Sequence, residues 1–454
     1  MSSIDWQNVE QITVLGLGKS GLSVLRYLQR QFNNDISNGT LSIRAFDSRE
    51  QAPGREQASA LIGAENVFCR RWQLEDTLAA DVLVLSPGID AREEPIELAM
   101  QAGVIVTGDV ELFAQQVRQP VVAITGSNGK STVTRMVEHI ARRAGINALA
   151  AGNIGLPVLD ALAQNADAYV LELSSFQLET LNSLRPKAAT VLNISPDHMD
   201  RYPSLADYTA AKLRIYQGSE IQVLNRQQPE CWPTQCSSTL RFGDDDAAEF
   251  GLIRHQDETW ISYQGKRLLG AHQLTVQGLH NLLNAQAALA LSSALGISVN
   301  EAARHLVQFY GLPHRCQLVT ERNGVKWVND SKATNIGATE AAIKGMRPIV
   351  AGKLILIAGG EGKGADFSAL QASLKQVDVL LTIGKDGPAI GALFNGSRQL
   401  QSLDDAVALA STLSEPGDMV LLSPACASFD QFDNFEHRGD VFARAVEAHD
   451  EQSA

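Results

Sequence analysis

The stretch Val121-Val122-Ala123-Ile124-Thr125-Gly126-Ser127-Asn128-Gly129-Lys130-Ser131-Thr132 decides how this chain is read. Apolar residues ending at Thr125 predict a buried strand, and after a glycine-rich turn Val133, Met136, Val137, Ile140 and Ala144 recur at helical spacing until Gly145. A strand that breaks at such a turn and restarts as a helix aims several backbone N–H groups into one small volume. The helix dipole favours negative charge there, so the turn suits a polyphosphate. Lys130, at the helix start, would reach the β and γ phosphates, and the hydroxyl of Ser131 or Thr132 would ligate an accompanying magnesium. The template G-x-x-x-x-G-K-[ST] asks for glycine at Ile124. What stands here is the shorter G-x-x-G-K-[ST], which an ordinary strand-to-helix turn also shows.

Outward on the C-terminal side, residues 152–157 form a second glycine-rich loop with Asn153. Strand 169–173 carries Glu172 near its carboxyl end. A carboxylate inside an apolar strand is costly unless compensated, and a hard cation is a natural compensator, so Glu172 reads as a magnesium ligand. Glu179, in the following helix, reads as a solvated charge. Strand 189–194 runs into Ser195-Pro196-Asp197-His198-Met199-Asp200-Arg201-Tyr202. His198 there is either a hydrogen-bonded surface residue or, beside a phosphate site, part of a pocket. Lys212, on a helix over 208–216, reads from spacing alone as an exposed helical lysine.

On the N-terminal side, strand 12–15 leads to Gly16, Gly18 and Gly21 in the order G-x-G-x-x-G, then to the helical run Leu22, Leu25, Leu28. Strand 41–46 ends at Asp47. This predicts a phosphate-bearing ligand on a helix N-terminus with a carboxylate near a sugar or base. NAD and a UDP-sugar fit equally, and an unliganded Rossmann-like turn remains open. A strand over 81–85 ends in Ser86-Pro87-Gly88 at the sheet edge where such folds bind ligands. The first boundary falls near Thr107.

From 221 to about 275 the pattern is short β-rich runs with turns such as Gln264-Gly265, and helix returns over 279–295. Asn281 and Asn284, at i and i+3, share one side and either hydrogen-bond a purine or cap the helix. A third block starts near Gly311. Its strands over 326–328, 354–358 and 419–422 run into polar loops containing Asp330-Ser331-Lys332, Gly359-Gly360-Glu361-Gly362-Lys363 and Ser423-Pro424-Ala425. Strand, loop and helix in repeating order predict a parallel sheet whose loops converge on a small anionic substrate.

The length of 454 residues is compatible with about three domains. A net charge of −13 argues against nucleic acid or an anionic membrane as the main partner, because both need basic stripes. No stretch approaches the roughly 18 apolar residues of a membrane span, and residues 1–9 lack an apolar signal core. A cytoplasmic protein is expected. The five cysteines are odd in number and scattered, without a zinc-type spacing or a disulfide framework.

Taken together, the stretches GSNGKST, GNIGLP, LELSSFQLE, DHMDRYP, AAKLRIY, GLPHR, NDSKATN and SPACASFDQF occur in one order over nearly the whole chain, which resembles the Mur ligase family. The resemblance implies an α/β fold of three domains: an N-terminal Rossmann-like domain for a UDP-sugar (1–107), a central P-loop ATPase with a β-rich insertion (108–311) and a C-terminal Rossmann-like domain for an amino acid (312–454). It implies an enzyme that adds D-glutamate to UDP-N-acetylmuramoyl-L-alanine, using ATP and two magnesium ions through an acyl phosphate, and a monomer is expected. NAD then drops out. Matched by position, Lys19, Ser20, Asp47, Ser48, Arg49 and Gly88 resemble the UDP-sugar shell, with Asn153 and His198 near the nascent peptide carboxylate. Gly126, Asn128, Gly129, Lys130, Ser131 and Thr132 resemble the ATP phosphate loop, and Asn281, Asn284, Arg315 and Asp330 the adenosine contacts. Ser131 and Glu172 resemble the first magnesium site, and His198 with a carbamylated Lys212 the second. An ammonium with a pKa of about 10.4 cannot ligate a metal, whereas its carbamate presents anionic oxygens. Lys332, Thr334, Lys363, Ser428 and Phe435 resemble a D-glutamate pocket. Glu361 and Phe429 stand where the family has aspartate and leucine, and the Asp-Asn-Pro-Arg motif of diaminopimelate-adding relatives is absent.

Overall fold

A computed structural model describes residues 4–247, 249–256, 258–276 and 278–451. Alternation of apolar runs with glycine-broken helices builds three large sheets in succession, the first two wholly parallel. The first contains β1 (Gln11–Leu15), β2 (Ser42–Phe46), β3 (Val67–Phe68), β4 (Val82–Leu85) and β5 (Ile105–Gly108), in the order 3-2-1-4-5. The second contains β6 (Val121–Thr125), β7 (Ala148–Gly152), β8 (Ala168–Glu172), β9 (Ala188–Val191), β10 (Ile221–Asn225) and β11 (Ser238–Phe242), in the order 11-10-9-6-8-7. The strand order reverses at β1 in the first sheet and at β6 in the second, and these are the crevices where open α/β sheets take ligands.

The β-rich region divides in a way the sequence pattern did not separate. Strands β10 and β11 extend the second sheet in parallel, and only β12 (Phe250–His255), β13 (Glu258–Tyr263) and β14 (Lys266–Gly270) form a separate antiparallel sheet. The third large sheet contains β15 (Gln317–Arg322), β16 (Val325–Asn329), β17 (Leu354–Gly359), β18 (Val379–Ile383), β19 (Arg398–Gln399) and β20 (Met419–Leu422), in the order 15-16-20-17-18-19. It is parallel except for β15, an antiparallel edge strand that corrects the all-parallel expectation. The turn between β15 and β16 is Asn323-Gly324, both at positive φ (49° and 75°), which matches the twist of a tight hairpin.

One apolar core runs from the first sheet into the second, from Ile12 and Val14 through Phe113 and Tyr169 to Tyr208. Arg26, in helix Lys19–Gln31, donates Nε and Nη2 to Asp160 at 3.0 and 2.5 Å across the same junction. The third sheet has its own two cores, one on each face. A shared core thus joins the first two sheets, and polar contacts such as Arg315 Nη2 on Ser131 Oγ link the third to them. Among the described residues no helix is long and apolar enough to cross a membrane.

Candidate active site

The site is set by strand register. Ile124 of β6 pairs with Glu172 of β8, Thr125 pairs with Val191 of β9, and Gly152 of β7 pairs with Glu172. The carboxyl ends of four strands thus deliver the glycine-rich turn, Glu172, the 152–157 loop and the 193–202 loop to one edge. Gly126 (φ 148°) and Gly129 (φ 83°) hold backbone that a side chain would strain, and helix Lys130–Arg143 starts at Lys130, as the periodicity predicts. Lys130 Nζ donates to the carbonyls of Gly126 (2.8 Å) and Ser127 (3.0 Å), and Asn128 N–H donates to Asn193 Oδ1 (2.8 Å). Burial pushes the Lys130 ammonium below its ordinary range, against the pull of Glu172 and Asp197.

Glu172 is 1 % exposed. Its Oε1 accepts from Asn153 Nδ2 at 2.7 Å, while Oε2 is buried with no hydrogen-bond partner. A carboxylate oxygen left so is strongly destabilising unless a cation meets it.

Lys212 is also 1 % exposed, which corrects the reading from spacing alone. Helix Leu205–Leu213 turns its last residues inward, so Nζ donates to Gly126 O (3.0 Å) and Thr125 Oγ1 (3.3 Å) and lies 4.7 Å from the centre of the Tyr208 ring. Burial, with the Lys130 charge alongside, drives this amine well below its ordinary range. His198 sits at φ 56° in a turn closed by Arg201 N–H and Tyr202 N–H on its carbonyl, with its ring 4.8 Å from that of Phe176. Among the described residues, no three His, Cys, Asp or Glu side chains gather as a metal cluster. The unmodified side chains near the turn supply the Glu172 carboxylate, the Ser131 hydroxyl and the His198 imidazole.

Two clefts open onto this edge. The larger, about 1210 Å³, is lined from all three sheets: by Lys19, Ser20, Asp47, Ser48, Arg49 and Gly88, then by Ser131 and Asn153, then by Arg315, Lys332 and Phe435. Asp47 is fully engaged, its oxygens accepting from Leu17 N–H (2.8 Å) and from Arg49 Nε (2.9 Å) and Nη2 (2.8 Å). The Arg49 guanidinium holds its carboxyl down at about 2. The smaller cleft, about 390 Å³, is lined by Asn128, Gly129, Thr132, Asn281, Asn284, Arg315 and Asp330. Asn281 and Asn284 face inward from the first turns of helix Leu279–Ser293, whose N-cap is Gly278, so neither asparagine is the cap. Asp330 accepts from Ser423 Oγ (2.9 Å) and Cys316 N–H (3.1 Å), and burial raises its carboxyl to about 6.

Arg315 joins the third sheet to the second by donating Nη2 to Ser131 Oγ at 2.7 Å. Lys332 lines both clefts, with Nζ 3.6 Å from the centre of the Phe435 ring. Thr334, Lys363 and Ser428 line neither, and the Lys363 ammonium lies over the exposed Phe429 ring at 5.7 Å. Three side chains that sequence reasoning passed over also matter: Asn193, which anchors the turn; Arg135, which lines the larger cleft; and Arg438, fully buried against Ser331, Cys426 and Ala427. Asn193 and Arg438 are polar residues at a strand end and inside an apolar helix face, a signal present in the sequence.

Family profiles match in the same order along the chain. The Mur ligase MurD-like N-terminal domain matches residues 10–108, the Mur ligase middle domain 124–292, and the Mur ligase glutamate ligase domain 314–426. This chain belongs to the Mur ligase family. Curated Mur ligases similar to it include the UDP-N-acetylmuramoylalanine--D-glutamate ligase of Idiomarina loihiensis, 57 % identical with 99 % of each chain covered. The protein of the same name from Vibrio parahaemolyticus is 45 % identical, covering 96 % of this chain and 98 % of its own. Among solved structures, a pseudomurein peptide ligase type C from Methanothermus fervidus superposes with a TM-score of 0.61 at 17 % identity, covering 97 % of this chain and 100 % of its own. MurF ligase from Thermotoga maritima in complex with ADP does so with 0.61 at 16 % identity and 98 % of each chain. At those identities the likeness is one of fold, and it extends across all three Mur ligase domains.

Proposed function

We propose that this chain is the ATP-dependent amide ligase that joins D-glutamate to UDP-N-acetylmuramoyl-L-alanine in peptidoglycan precursor synthesis. The observation that carries the reading is the buried Glu172, one oxygen unpartnered, paired in register beside the glycine-rich turn and hydrogen-bonded to Asn153, which lines the larger cleft. The smaller cleft takes ATP, with Asn281, Asn284, Arg315 and Asp330 around the adenosine and residues 126–132 around the phosphates. The larger takes the sugar nucleotide, held by Lys19, Ser20, Asp47, Ser48, Arg49 and Gly88, with Asn153 and His198 at the peptide end. D-Glutamate enters from the third domain, against Lys332, Thr334, Lys363, Ser428 and Phe435. We assign domain limits of 1–107, 108–311 and 312–454, supported by the separation of the sheets, and take the enzyme to be a cytoplasmic monomer.

Ser131, Glu172, His198 and a carbamylated Lys212 would hold two magnesium ions, which when bound neutralise charge on the phosphates. The donor set fits, because Glu172 has a free oxygen and carbamylation adds the anionic oxygens that the unmodified side chains lack. The γ-phosphoryl group passes to the substrate carboxylate, giving ADP and an acyl phosphate. The amine of D-glutamate then attacks, and collapse releases phosphate and leaves the amide. The protein's own contribution is orientation and preorganised charge: the N–H nest and Lys130 on the phosphates, Arg315 bridging Ser131, and closure of the third domain to exclude water.

Phosphate release with ATP, magnesium and UDP-N-acetylmuramoyl-L-alanine tests the reading, comparing D-glutamate, L-glutamate, meso-diaminopimelate and no amino acid. Release that depends on D-glutamate is expected, and release that prefers another amino acid would move the assignment to a sister reaction. Lys212→Ala is expected to abolish turnover in a way bicarbonate does not restore. Wild-type turnover in that variant would remove Lys212 from the mechanism.

A further inference from the structure

Glu179 is not the solvated charge its sequence position suggests. It belongs to a lattice of two acids and two arginines that bridges the first and second sheets beside the site. Arg201, whose side chain is 10 % exposed, donates Nη2 both to Glu179 Oε2 (2.6 Å) and to Ile89 O (3.2 Å), and its Nε lies 3.6 Å from Asp90 Oδ2. Arg92 donates Nε and Nη2 to Asp90, each at 2.8 Å, and Nη2 also to the Arg201 carbonyl at 3.1 Å. The loop that carries Gly88 is thereby tied to the loop that carries His198. A second tie runs through an aromatic ring: the Arg201 guanidinium carbon lies 4.4 Å from the centre of Phe176, and the same ring meets the His198 imidazole at 4.8 Å. Phe176 also stacks on Tyr202 at 6.0 Å, and Tyr202 is 3 % exposed. Cation–π contacts of this kind strengthen as water is excluded.

Resting on the reading that residues 88 and 198 serve the sugar nucleotide, we propose that Arg201 is a positioning residue that sets the His198 imidazole in register with the 88–90 loop. The sugar nucleotide then binds to a loop and an imidazole placed by one guanidinium. A single arginine suits the task, because its planar fork serves a carboxylate, a carbonyl and a ring face together, which a lysine cannot.

The test measures binding of UDP-N-acetylmuramoyl-L-alanine and of UDP by calorimetry without ATP or magnesium, followed by steady-state kinetics. Arg201→Ala is expected to weaken the sugar nucleotide by roughly 10- to 100-fold, the scale of a misplaced contact. Its affinity for UDP and its KM for D-glutamate should stay near wild type. Phe176→Leu leaves the ion lattice in place but frees the imidazole, so sugar-nucleotide affinity should fall by less than in Arg201→Ala. The double variant should then lose less than the two single losses combined. Arg201→Lys should fall between wild type and Ala, and together with Phe176→Leu it decides the matter if the alanine variant does not fold. Wild-type binding in Arg201→Lys and Arg201→Ala, or an equal loss for UDP, D-glutamate and sugar nucleotide alike, would overturn the positioning role. An inactive wild-type protein would instead refute the ligase reading itself.

Discussion

Glu172 and Lys212 are one residue each, yet they define what the site can hold. Glu172→Gln removes the unpartnered anionic oxygen while keeping the shape. We expect kcat to fall by about 100-fold or more in phosphate release, while the melting temperature in chelator holds or rises because a buried charge has gone. A second buried acid gives a pH signature. Asp109, beside Val110 N–H at 2.9 Å, is held by burial at about 6. The unfolded chain titrates such a group near 3.9, so between those values the folded state binds the extra proton. The stabilising contribution is complete below about pH 4 and is lost as pH rises through about 6. Asp109→Asn should therefore match wild type in thermal melts near pH 4 and exceed it at pH 8, by on the order of a few kcal/mol. Asp47 acts in the opposite sense at lower pH: its carboxyl is held at about 2, so its contribution is full above about pH 4 and is lost as pH falls from there through about 2.

At the scale of elements, the strand-turn-helix unit of β6 and helix Lys130–Arg143 depends on glycine for two separate reasons. Gly129 sits at φ 83°, and a Cβ there would stand 2.5 Å from Asn284 Oδ1. Gly129→Ala should cost about 1–2 kcal/mol of backbone strain and push Asn284 out of the smaller cleft. Nucleotide affinity by calorimetry should fall further than the loss of melting temperature implies. The hairpin of β15 and β16 belongs to this scale too. Its Asn323-Gly324 turn is a strong local signal, and the strand it closes escaped notice because Gln317–Arg322 carries no apolar run.

Across the whole molecule, a shared apolar core welds the first sheet to the second, while the third sheet keeps separate cores and meets them through polar contacts. Arg315 on Ser131 at 2.7 Å and Asn335 Nδ2 on Asp197 Oδ2 at 3.4 Å are two of these. Interfaces of that kind leave domain rotation as the default. Asn335 also caps helix Ile336–Met346 by accepting from Ala338 N–H at 2.9 Å. Asn335→Ser keeps a cap but shortens the reach to Asp197, so the radius of gyration in small-angle scattering should rise while the melting temperature stays near wild type. An unchanged radius would show that this contact does not hold the domain closed.

The order of elements was legible in the sequence, because strand periodicity, glycine breaks and helical spacing are local properties of the chain. The residues at strand ends that make up the candidate site could be named for the same reason: the chain places Gly126 directly after an apolar strand, Glu172 at the end of one and His198 in the loop that follows another. What the tertiary structure decided was burial and pairing, which depend on register between strands far apart in sequence. Lys212 looks like a solvent-facing helical lysine until its helix packs on the end of β6, and Glu179 looks solvated until Arg201 and Arg92 are folded against it. Charge spacing along a chain cannot report either fact, since both arise only when separate sheets bring their edges together.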